Sequence, residues 1–236
     1  MSTYVFKITC LTNLHAGSGD SGGFGVVDKT VQRDPATNLP TIHASGLKGA
    51  LREHFRHEPW VNYVFGSDQN NRAPGSSQQG AYHFFAADLL ALPKPAQEAP
   101  FFEIVTNQEY LKPIGIKYQQ LGAKTLTVAQ LAEGLNNDPQ FWELAEDLPV
   151  IARNQLDNGV SKNLWYEEVV PRQSMFVVAI QIPDVDGKIT SGSDDTEQAV
   201  DREVLTKALK EAVVQIGGNA TVGYGFCLFT QIYPKP

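Results

Sequence analysis

One carboxylate in this chain, Asp28, is placed where it could take part in phosphate chemistry. It follows a glycine-rich stretch, residues 15–25 (HAGSGDSGGFG). A carboxylate in such a loop can hold a divalent metal ion against a phosphate or orient the attack of a hydroxyl group. An aspartate that only stabilises a turn gives the same pattern. Asp28 is therefore a candidate catalytic residue and a candidate metal ligand.

Three further side chains could act as acids or bases. His15 opens the same loop and could exchange a proton or contact a ligand, although an ordinary loop histidine fits the pattern equally well. Glu167 and Glu168 follow an aromatic pair in a strand-like run (WYEE, 165–168). Neighbouring strand residues alternate faces, so one glutamate and one aromatic should share each face. An exposed strand edge is the simpler interpretation of this run, and Glu167 is kept as a catalytic candidate.

A second glycine-rich segment occupies residues 215–226 (QIGGNATVGYGF). Glycine permits positive φ and close approach of another group, and consecutive backbone N–H groups commonly bind phosphate. We expect Gly217 to end the preceding helix in the left-handed C-cap conformation. Gly217, Gly218, Gly223 and Gly225 would then present amides to a ligand. Two glycine-rich loops in one chain predict a surface that follows the backbone of an extended polyanion.

The segment Ser45–Arg56 has the apolar spacing of a helix, and Ser45 is its expected N-cap. Lys48 and Arg52 are four residues apart and share a helix face. The helix dipole disfavours cations in the first two turns, so their presence there favours a bound phosphate. A solvated basic face is the alternative.

Other common kinds of site leave no signature in the sequence. The short stretch GSG (17–19) lacks the Gly-Lys-Ser/Thr that completes a P-loop, no G-x-S-x-G elbow occurs, and no Cys/His group has zinc spacing. Cys10 and Cys227 lie in strand-like apolar stretches, and we interpret both as buried free thiols. A reducing, cytoplasmic compartment is the default expectation for such cysteines.

The composition is that of a globular domain. Of 236 residues, 42% are hydrophobic and 19% are charged. No apolar run approaches the roughly 20 residues needed to cross a bilayer, and the N-terminus lacks the regions of a signal peptide, so we expect no membrane association. The net charge of −7 argues against bulk electrostatic binding of nucleic acid. A polyanion would have to be bound by a local basic strip and by backbone amides.

Strands and helices alternate at both ends of the chain. Periodicity and turn signals predict strands over Tyr4–Thr12, Ala81–Leu92, Phe101–Val105, Ser174–Ile182 and Phe226–Tyr233, and a hairpin of Val150–Gln155 and Leu164–Val170 around residues 157–159 (DNG). Helices are predicted over Ser45–Arg56, Thr127–Leu135, Gln140–Ala145 and, longest of all, Asp194–Gln215, with loops over Asn13–Leu39 and Gly66–Gly80. The strand–helix–strand frame at each end predicts an α+β fold of the ferredoxin-like or RNA-recognition-like kind, with inserted segments in the middle third.

Three segments together resemble the RAMP superfamily. They are residues 14–53 (LHAGSG…GVVDKTVQRDPATNLPTIHASGLKGALRE), 163–176 (NLWYEEVVPRQSMF) and the second glycine-rich segment. Within the superfamily they are similar to the backbone subunits of type III-B CRISPR effector complexes, the family of Cmr subunit four. The pair Gln32-Arg33, the run SGLKG (45–49) and the run WYEE separate this family from its relatives.

The resemblance implies a backbone subunit that stacks in a helical filament along CRISPR RNA and cleaves target RNA at regular intervals. Asp28 matches the family's cleavage aspartate, with a divalent metal ion (Mg²⁺ or Mn²⁺) as the expected cofactor. The implied partners are CRISPR RNA, single-stranded target RNA, further copies of the chain and other Cmr subunits. Residues 1–236 would form one RAMP domain, with about 94–173 as an insertion or thumb. The expected RNA contacts are Gln32, Arg33, Ser45, Lys48, Arg52 and the four glycines of the second loop.

Two other functions fit the same resemblance. The chain could be a scaffold subunit of the type III-A kind that binds RNA without cleaving it, and Asp34, which stands where a glutamate is usual, agrees with that subtype. It could also be a stand-alone endonuclease that processes CRISPR RNA, and His15 would then be its general base. The intact loop around Asp28 favours target cleavage.

Overall fold

The computed structural model describes residues 1–19, 27–67, 79–191 and 196–235. In chain order it contains β1 (Ser2–Cys10), β2 (Thr41–Ile42), α1 (Ala44–His54), α2 (Val61–Phe65), β3 (His83–Phe84), β4 (Ala87–Pro95), β5 (Phe102–Thr106), α3 (Gln108–Gln120), α4 (Val128–Leu131), β6 (Asn136–Asn137) and α5 (Phe141–Glu146). The remaining elements are β7 (Val150–Asp157), β8 (Val160–Glu168), β9 (Met175–Ile182), β10 (Gly187–Ser191), β11 (Thr196–Val200), α6 (Val204–Ala208), β12 (Val213–Gln215) and β13 (Phe226–Tyr233).

A large sheet with the strand order β12-β13-β1-β9-β4-β5-β6 forms the centre of the molecule. Its four middle strands, β13, β1, β9 and β4, pair antiparallel throughout. Taken with α1 and α6, they run along the chain as β1–α1–β4–β9–α6–β13, which is the ferredoxin-like arrangement. The predicted α+β fold is therefore confirmed.

The core explains why these strands could be recognised from the sequence. Residues Phe176–Ile180 of β9 are all fully buried, because β9 lies between β1 and β4 and both of its faces are covered. Helix α1 packs Leu47 and Leu51, one turn apart, into the same core. A strand buried on both faces has a continuous apolar sequence rather than an alternating one, as β9 does.

The two cysteines are buried free thiols, as predicted. Cys10 and Cys227 face each other across β1 and β13 with their Sγ atoms 4.0 Å apart. The hydrogen bond with the neighbouring Cys227 thiol, together with burial, raises the pKa of Cys10 well above its usual range. Such a thiol is unreactive, so the pair belongs to the packing of the sheet.

The predicted long helix Asp194–Gln215 is wrong. Its first two residues lie outside the described part of the chain, and the rest forms β11, the short helix α6 and β12. Leu205 and Leu209 are buried one turn apart, which is the helical spacing found in the sequence. Glu211, at φ 58°, ends that run. Val213 and Val214 then pair with β13, because β-branched residues suit a strand.

The middle third of the chain extends the central sheet and adds a separate hairpin. Strands β5 and β6 continue the sheet beyond β4, and α3, which sequence reasoning missed, packs Leu111 and Tyr118 into the core. The hairpin β7–β8 turns at Asn158 and Gly159, both at positive φ, as the DNG signal predicted. Several apolar side chains stay exposed on this ribbon, and the most exposed are Leu156, Val160 and Leu164.

Candidate nucleic-acid interface

Three segments that are far apart in the sequence meet at one end of the central sheet. They are residues 14–19 after β1, residues 27–33 before β2, and residues 216–225 between β12 and β13. Isolated bridges connect the first two to each other and to β8, at Gly17 with Val31 and at Lys29 with Glu167. The Gly218 N–H donates to the His15 carbonyl and ties in the third segment. Both glycine-rich segments therefore border one site, although residues 20–26 lie outside the described residues.

Asp28 is exposed in this site and is held in place by the backbone of β8. The Tyr166 N–H donates to Asp28 Oδ2 at 2.7 Å, and the Asp28 N–H donates back to the Tyr166 carbonyl at 3.0 Å. In the described part of the chain, Oδ1 accepts no hydrogen bond. One carboxylate oxygen is thus fixed by the protein, and the other can receive a hydrogen bond from a ligand.

The described residues contain no group of three or more His, Cys, Asp or Glu side chains that could hold a metal ion by themselves. Mg²⁺ is commonly bound by one or two carboxylates together with substrate phosphates and water. The open Oδ1 of Asp28 fits that mode of binding. Asp28 could therefore share a metal ion with a bound phosphate.

Glu167 and Glu168 are both buried, so the expectation of an exposed strand edge is wrong. Their side chains point to opposite sides of β8, as the alternation required. Glu168 accepts hydrogen bonds from the Val31 N–H at 2.9 Å and from Arg33 at 2.6 Å. Glu167 accepts from Arg153 Nε at 3.1 Å and from Asn219 Nδ2 at 2.8 Å. Burial of a carboxylate is tolerated because these donors replace water.

His15 is almost completely buried, although it contributes to the wall of the cavity that Lys29 and Thr30 also line. Its side chain is 8% exposed, its Nδ1 is 2.8 Å from the Glu168 carbonyl, and its Nε2 is 3.5 Å from Glu167 Oε1. A carbonyl oxygen can only accept, so Nδ1 carries the proton in this contact. A Cβ added to Gly17 would stand 2.9 Å from His15 Nε2, which explains why this residue is glycine. The position suits a structural role better than direct contact with a substrate.

Arg33, an expected RNA contact, is fully engaged within the chain. Its guanidinium pairs with Glu168 and donates to the carbonyls of Ala145 at 2.8 Å and Glu146 at 3.3 Å. These two carbonyls end helix α5, where a cation is favoured by the helix dipole. Arg33 also donates to the Asn38 carbonyl at 2.9 Å. The guanidinium joins the middle third to the site and has little capacity left for a phosphate.

We predict that Arg33→Ala lowers stability rather than only RNA affinity. The substitution leaves Glu168 buried with one charged partner fewer, and loss of one partner of a buried pair costs about 3–5 kcal/mol. Thermal or urea unfolding of the isolated protein measures this. Lys94→Ala, which breaks a more exposed pair with Asp138, is the matched control and should cost much less, because solvent screens this pair. Equal stability of the two variants would contradict the structural role of Arg33.

The start of α1 differs from the prediction, because the N-cap is His43 and not Ser45. The His43 N–H donates to the side-chain carbonyl of Gln32 at 2.7 Å, and Gln32 Nε2 donates to the Gly17 carbonyl at 3.0 Å. Ser45 is an exposed residue of the first turn. Gln32 therefore ties the first glycine-rich loop to the helix, and Ser45 stays available to a ligand.

The two cations of α1 have different surroundings. Arg52 donates to Asn62 Oδ1 in α2 and to the carbonyl of Gly66, the residue after α2, so it connects α1 to α2. Lys48 lies 5.9 Å from the centre of the Phe84 ring and makes no ion pair in the described residues. Of the pair that was expected to bind phosphate, Lys48 is the one whose charge is not already used.

The second glycine-rich loop does not present a row of open amides, so that part of the interpretation is wrong. The N–H groups of Gly218, Gly223 and Gly225 donate to the carbonyls of His15, Ala220 and Asn13. Gly217 follows a strand and is not a helix C-cap. It has φ 79°, and a Cβ there would stand 2.3 Å from the His15 carbonyl oxygen. Close packing of backbones within the chain requires glycine at Gly217 and Gly225.

A glycine-lined groove runs between α1 and these loops. One part, of about 310 Å³, is lined by Gly17, Gln32, Gly46, Gly49 and Gly217. A neighbouring part, of about 340 Å³, shares Gly17 and is lined by Lys29 and Thr30 next to Asp28. A Cβ at Gly49 would meet nothing within 4 Å, so packing within the described residues gives no reason for this glycine. A larger apolar groove of about 480 Å³ beside β4 and β5 contains none of these residues.

Sequence reasoning missed five residues that complete the site. The Arg153 guanidinium stacks on Tyr224 with its Cζ 4.4 Å from the ring centre, and Lys29 Nζ lies 5.1 Å from the centre of the Trp165 ring. Asn219 connects the second loop to Glu167. All of these residues except Arg153 stand in segments that the sequence had singled out, but their contacts join segments far apart in the chain, so no local pattern indicated them.

Similarity to known proteins identifies the family of this chain. Residues 7–228 match the RAMP superfamily. The chain belongs to this superfamily. A relative named CRISPR system Cmr endoribonuclease Cmr4, from Pyrococcus furiosus, is 26% identical over 98% of this chain and 96% of its own length. The resemblance found in the three sequence segments is thereby confirmed.

Solved structures agree with the RAMP fold. A chain of the type III-B Cmr-beta complex bound to cognate target RNA superposes with a TM-score of 0.72 at 20% identity, covering 100% of this chain and 99% of that chain. Oligomeric Cmr4 from Pyrococcus furiosus superposes with a TM-score of 0.64 at 19% identity, covering 98% of each chain. Among the described residues, no helix is long and apolar enough to cross a membrane.

Proposed function

We propose that this RAMP protein is the backbone subunit of a type III-B Cmr complex, which binds CRISPR RNA and cleaves single-stranded target RNA. The observation that carries the proposal is the Asp28 carboxylate, which is fixed through Oδ2 to the backbone of β8, while no described residue donates to Oδ1. The next two residues, Lys29 and Thr30, line a groove to which three segments of the chain contribute glycines. A groove with few side chains can receive a polynucleotide backbone, and the neighbouring carboxylate can accept a proton from it.

The comparisons support this proposal at the level of the assembly. A relative that matches this chain over 96% of its own length is named a Cmr endoribonuclease, one structural neighbour belongs to a complex bound to target RNA, and another is oligomeric. We propose the same partners here: CRISPR RNA, target RNA, further copies of this chain and other Cmr subunits. The complex would act in the cytoplasm, and residues 94–173 would supply the thumb.

Asp28 supports cleavage by attack of the neighbouring 2′-hydroxyl. Oδ1 would accept the proton of that hydroxyl, whose oxygen then attacks the adjacent phosphorus. The bond from phosphorus to the 5′-oxygen breaks, and that oxygen leaves with a proton from water. The products are a 2′,3′-cyclic phosphate and a 5′-hydroxyl. The Tyr166 N–H keeps the carboxylate oriented during this transfer.

A divalent cation, Mg²⁺ or Mn²⁺, is proposed as the cofactor. Phosphate oxygens and water would supply most of its ligands, with the Asp28 carboxylate beside it, since the described residues contain no group of three or more His, Cys, Asp or Glu side chains that could hold it. When bound, it would stabilise negative charge on the phosphate.

The acidic composition limits how the guide RNA can be held. With a net charge of −7, the protein cannot rely on a broadly basic surface. The groove instead allows close approach of a sugar–phosphate backbone to α1, where Gly46 and Gly49 leave the helix surface without side chains. Lys48 and the exposed Ser45 remain candidate phosphate contacts.

The experiment that tests the function uses the complex assembled from the full-length subunits with a guide RNA. Labelled target RNA is incubated with Mg²⁺, with Mn²⁺ or with a chelator, and the products are resolved on a gel. We expect cuts at regular intervals in the presence of metal, products ending in 2′,3′-cyclic phosphate, and no cuts with a non-complementary target. Cleavage of a repeat hairpin by the isolated protein would favour a processing endonuclease instead. Guide-dependent binding without any cuts would favour a scaffold.

We predict that Gly49→Leu makes the isolated protein more stable and its guide RNA binding weaker. Replacing glycine inside a helix with a good helix former gains about 0.5–1 kcal/mol, and the new side chain meets no atom within 4 Å of its Cβ. The same side chain would fill the groove. Thermal melting and a filter-binding titration of the guide measure the two effects.

The control for Gly49→Leu is Ala208→Leu, which adds a leucine at an exposed position of α6. It should leave guide binding unchanged. Tight guide binding by Gly49→Leu would mean that RNA does not pass through the groove.

A further inference from the structure

Glu167 connects three segments of the chain at the base of the β7–β8 hairpin. Its carboxylate is 2% exposed. Oε2 accepts from Arg153 on β7 and from Asn219 in the second glycine-rich loop, and Oε1 is 3.5 Å from His15 in the first loop. A buried carboxylate with partners from three segments fixes those segments relative to one another, because moving any of them would leave the charge less compensated.

Asn219 is the partner that fixes the second loop. Its backbone is left-handed, with φ 64° and ψ 29°, and its carbonyl accepts from the N–H groups of Val222 and Tyr224. Asparagine tolerates this conformation better than most residues. The backbone therefore shapes the turn, while the side chain is free to reach Glu167 at 2.8 Å.

The contacts of Glu167 lie next to the residue of β8 that holds Asp28. Tyr166, the residue before Glu167, donates its N–H to Asp28 Oδ2, and the Tyr166 carbonyl accepts from the N–H groups of Asp28 and Lys29. The Lys29 carbonyl in turn accepts from the Glu168 N–H. A shift of β8 at Glu167 would therefore move the hydrogen bonds that orient the cleavage carboxylate.

We propose that Asn219 is a positioning residue for Asp28. By donating to Glu167 it holds β8 against the glycine-rich loop that borders the guide groove, so that the Asp28 carboxylate keeps a fixed distance from the bound RNA. This inference rests on the proposed function, since it concerns the same reaction. Asn219, Glu167 and Arg153 would orient the Asp28 carboxylate without touching the reacting atoms.

The test reverses the hydrogen bond. Asn219→Asp places a second carboxylate 2.8 Å from Glu167, and two carboxylates at this distance repel each other. The double variant Asn219→Asp, Glu167→Gln restores the hydrogen bond in the reverse direction. The amide at position 167 can now donate to the carboxylate at position 219. Each variant is assembled into the full complex with guide RNA, and target cleavage is measured in single turnover with the complex in saturating excess over the target.

We expect Asn219→Asp to bind guide RNA within about twofold of wild type and to cleave at least tenfold more slowly, since a displacement of about 1 Å costs up to a hundredfold. The double variant should recover most of the rate. Asn38→Asp, the same change at an exposed asparagine that is also left-handed, is the control and should cleave as wild type does. Melting temperatures of all variants separate misfolding from misplacement.

Each outcome has one interpretation. Wild-type rates for Asn219→Asp would overturn the proposal, and so would a double variant that is no faster than the single one although it melts as wild type does. Recovery in the double variant supports it, because a general loss of stability would not be repaired by removing a second native side chain. If the wild-type complex shows no cleavage that depends on Asp28, the proposed function itself fails, which is a different result.

Discussion

The Asp28→Ala variant should bind guide and target RNA as wild type does and should cut no target. Asp28 is exposed, and within the described residues its carboxylate accepts one hydrogen bond, from the Tyr166 N–H. Its loss should cost about 1 kcal/mol of stability. A general base in the proposed position is worth about a hundredfold to ten-thousandfold in rate. Single-turnover cleavage by the assembled complex measures the effect on the chemical step.

Asp28→Asn separates chemistry from structure in this experiment. The amide oxygen can still accept from the Tyr166 N–H, so the loop should keep its conformation, but the group no longer accepts a proton from a hydroxyl. We expect Asp28→Asn to be as inactive as Asp28→Ala and to melt within about 1–2 °C of wild type. In a domain of this size, a shift in melting temperature of that magnitude corresponds to a change of about 0.5 kcal/mol in the free energy of unfolding. Cleavage at the wild-type rate by either variant would remove Asp28 from the mechanism.

The Gly225→Ala variant should fold poorly or not at all. Gly225 is buried at φ 77°, and an added Cβ would stand 1.9 Å from the Ile216 carbonyl oxygen. The backbone cannot move aside easily, because the Gly225 carbonyl accepts from the Ile216 N–H and its own N–H donates to Asn13. The left-handed conformation alone costs about 1–2 kcal/mol for a residue other than glycine. With the clash added, we expect a loss of more than about 3 kcal/mol, measured by urea unfolding.

Gly223 supplies the matched comparison for this effect. It has nearly the same backbone conformation, at φ 81°, but a Cβ there would meet nothing within 4 Å. Gly223→Ala should therefore cost only the conformational strain of about 1–2 kcal/mol, and Gly223→Asn less. Similar losses for Gly223→Ala and Gly225→Ala would mean that the close contact at Ile216 does not exist. Guide RNA titrations with Gly223→Asn then test whether this exposed part of the loop contacts RNA.

Local pattern was sufficient for the frame of the fold. The strand β9, the helix α1 and the DNG turn of the hairpin each carry their signal in adjacent residues, so burial or turn geometry could be inferred without knowing the neighbours. Helix α3 was missed because Pro113 interrupts it, although Asn107 caps it and its apolar residues have helical spacing. The segment before β12 was misassigned because a run of apolar residues satisfies a helix and a helix–strand pair equally well.

The sequence by itself determined that Asp28, His15 and two glycine-rich loops belong to one kind of site in a RAMP protein. Only the tertiary structure decided what each residue does there. It engages Arg33 with Glu168 and helix α5, buries His15 and uses the amides of Gly218 and Gly225 for packing. The physical reason is that a charge or a backbone amide is available to a ligand only if no partner within the chain has bound it. Those partners lie more than a hundred residues away, where no local pattern can reveal them.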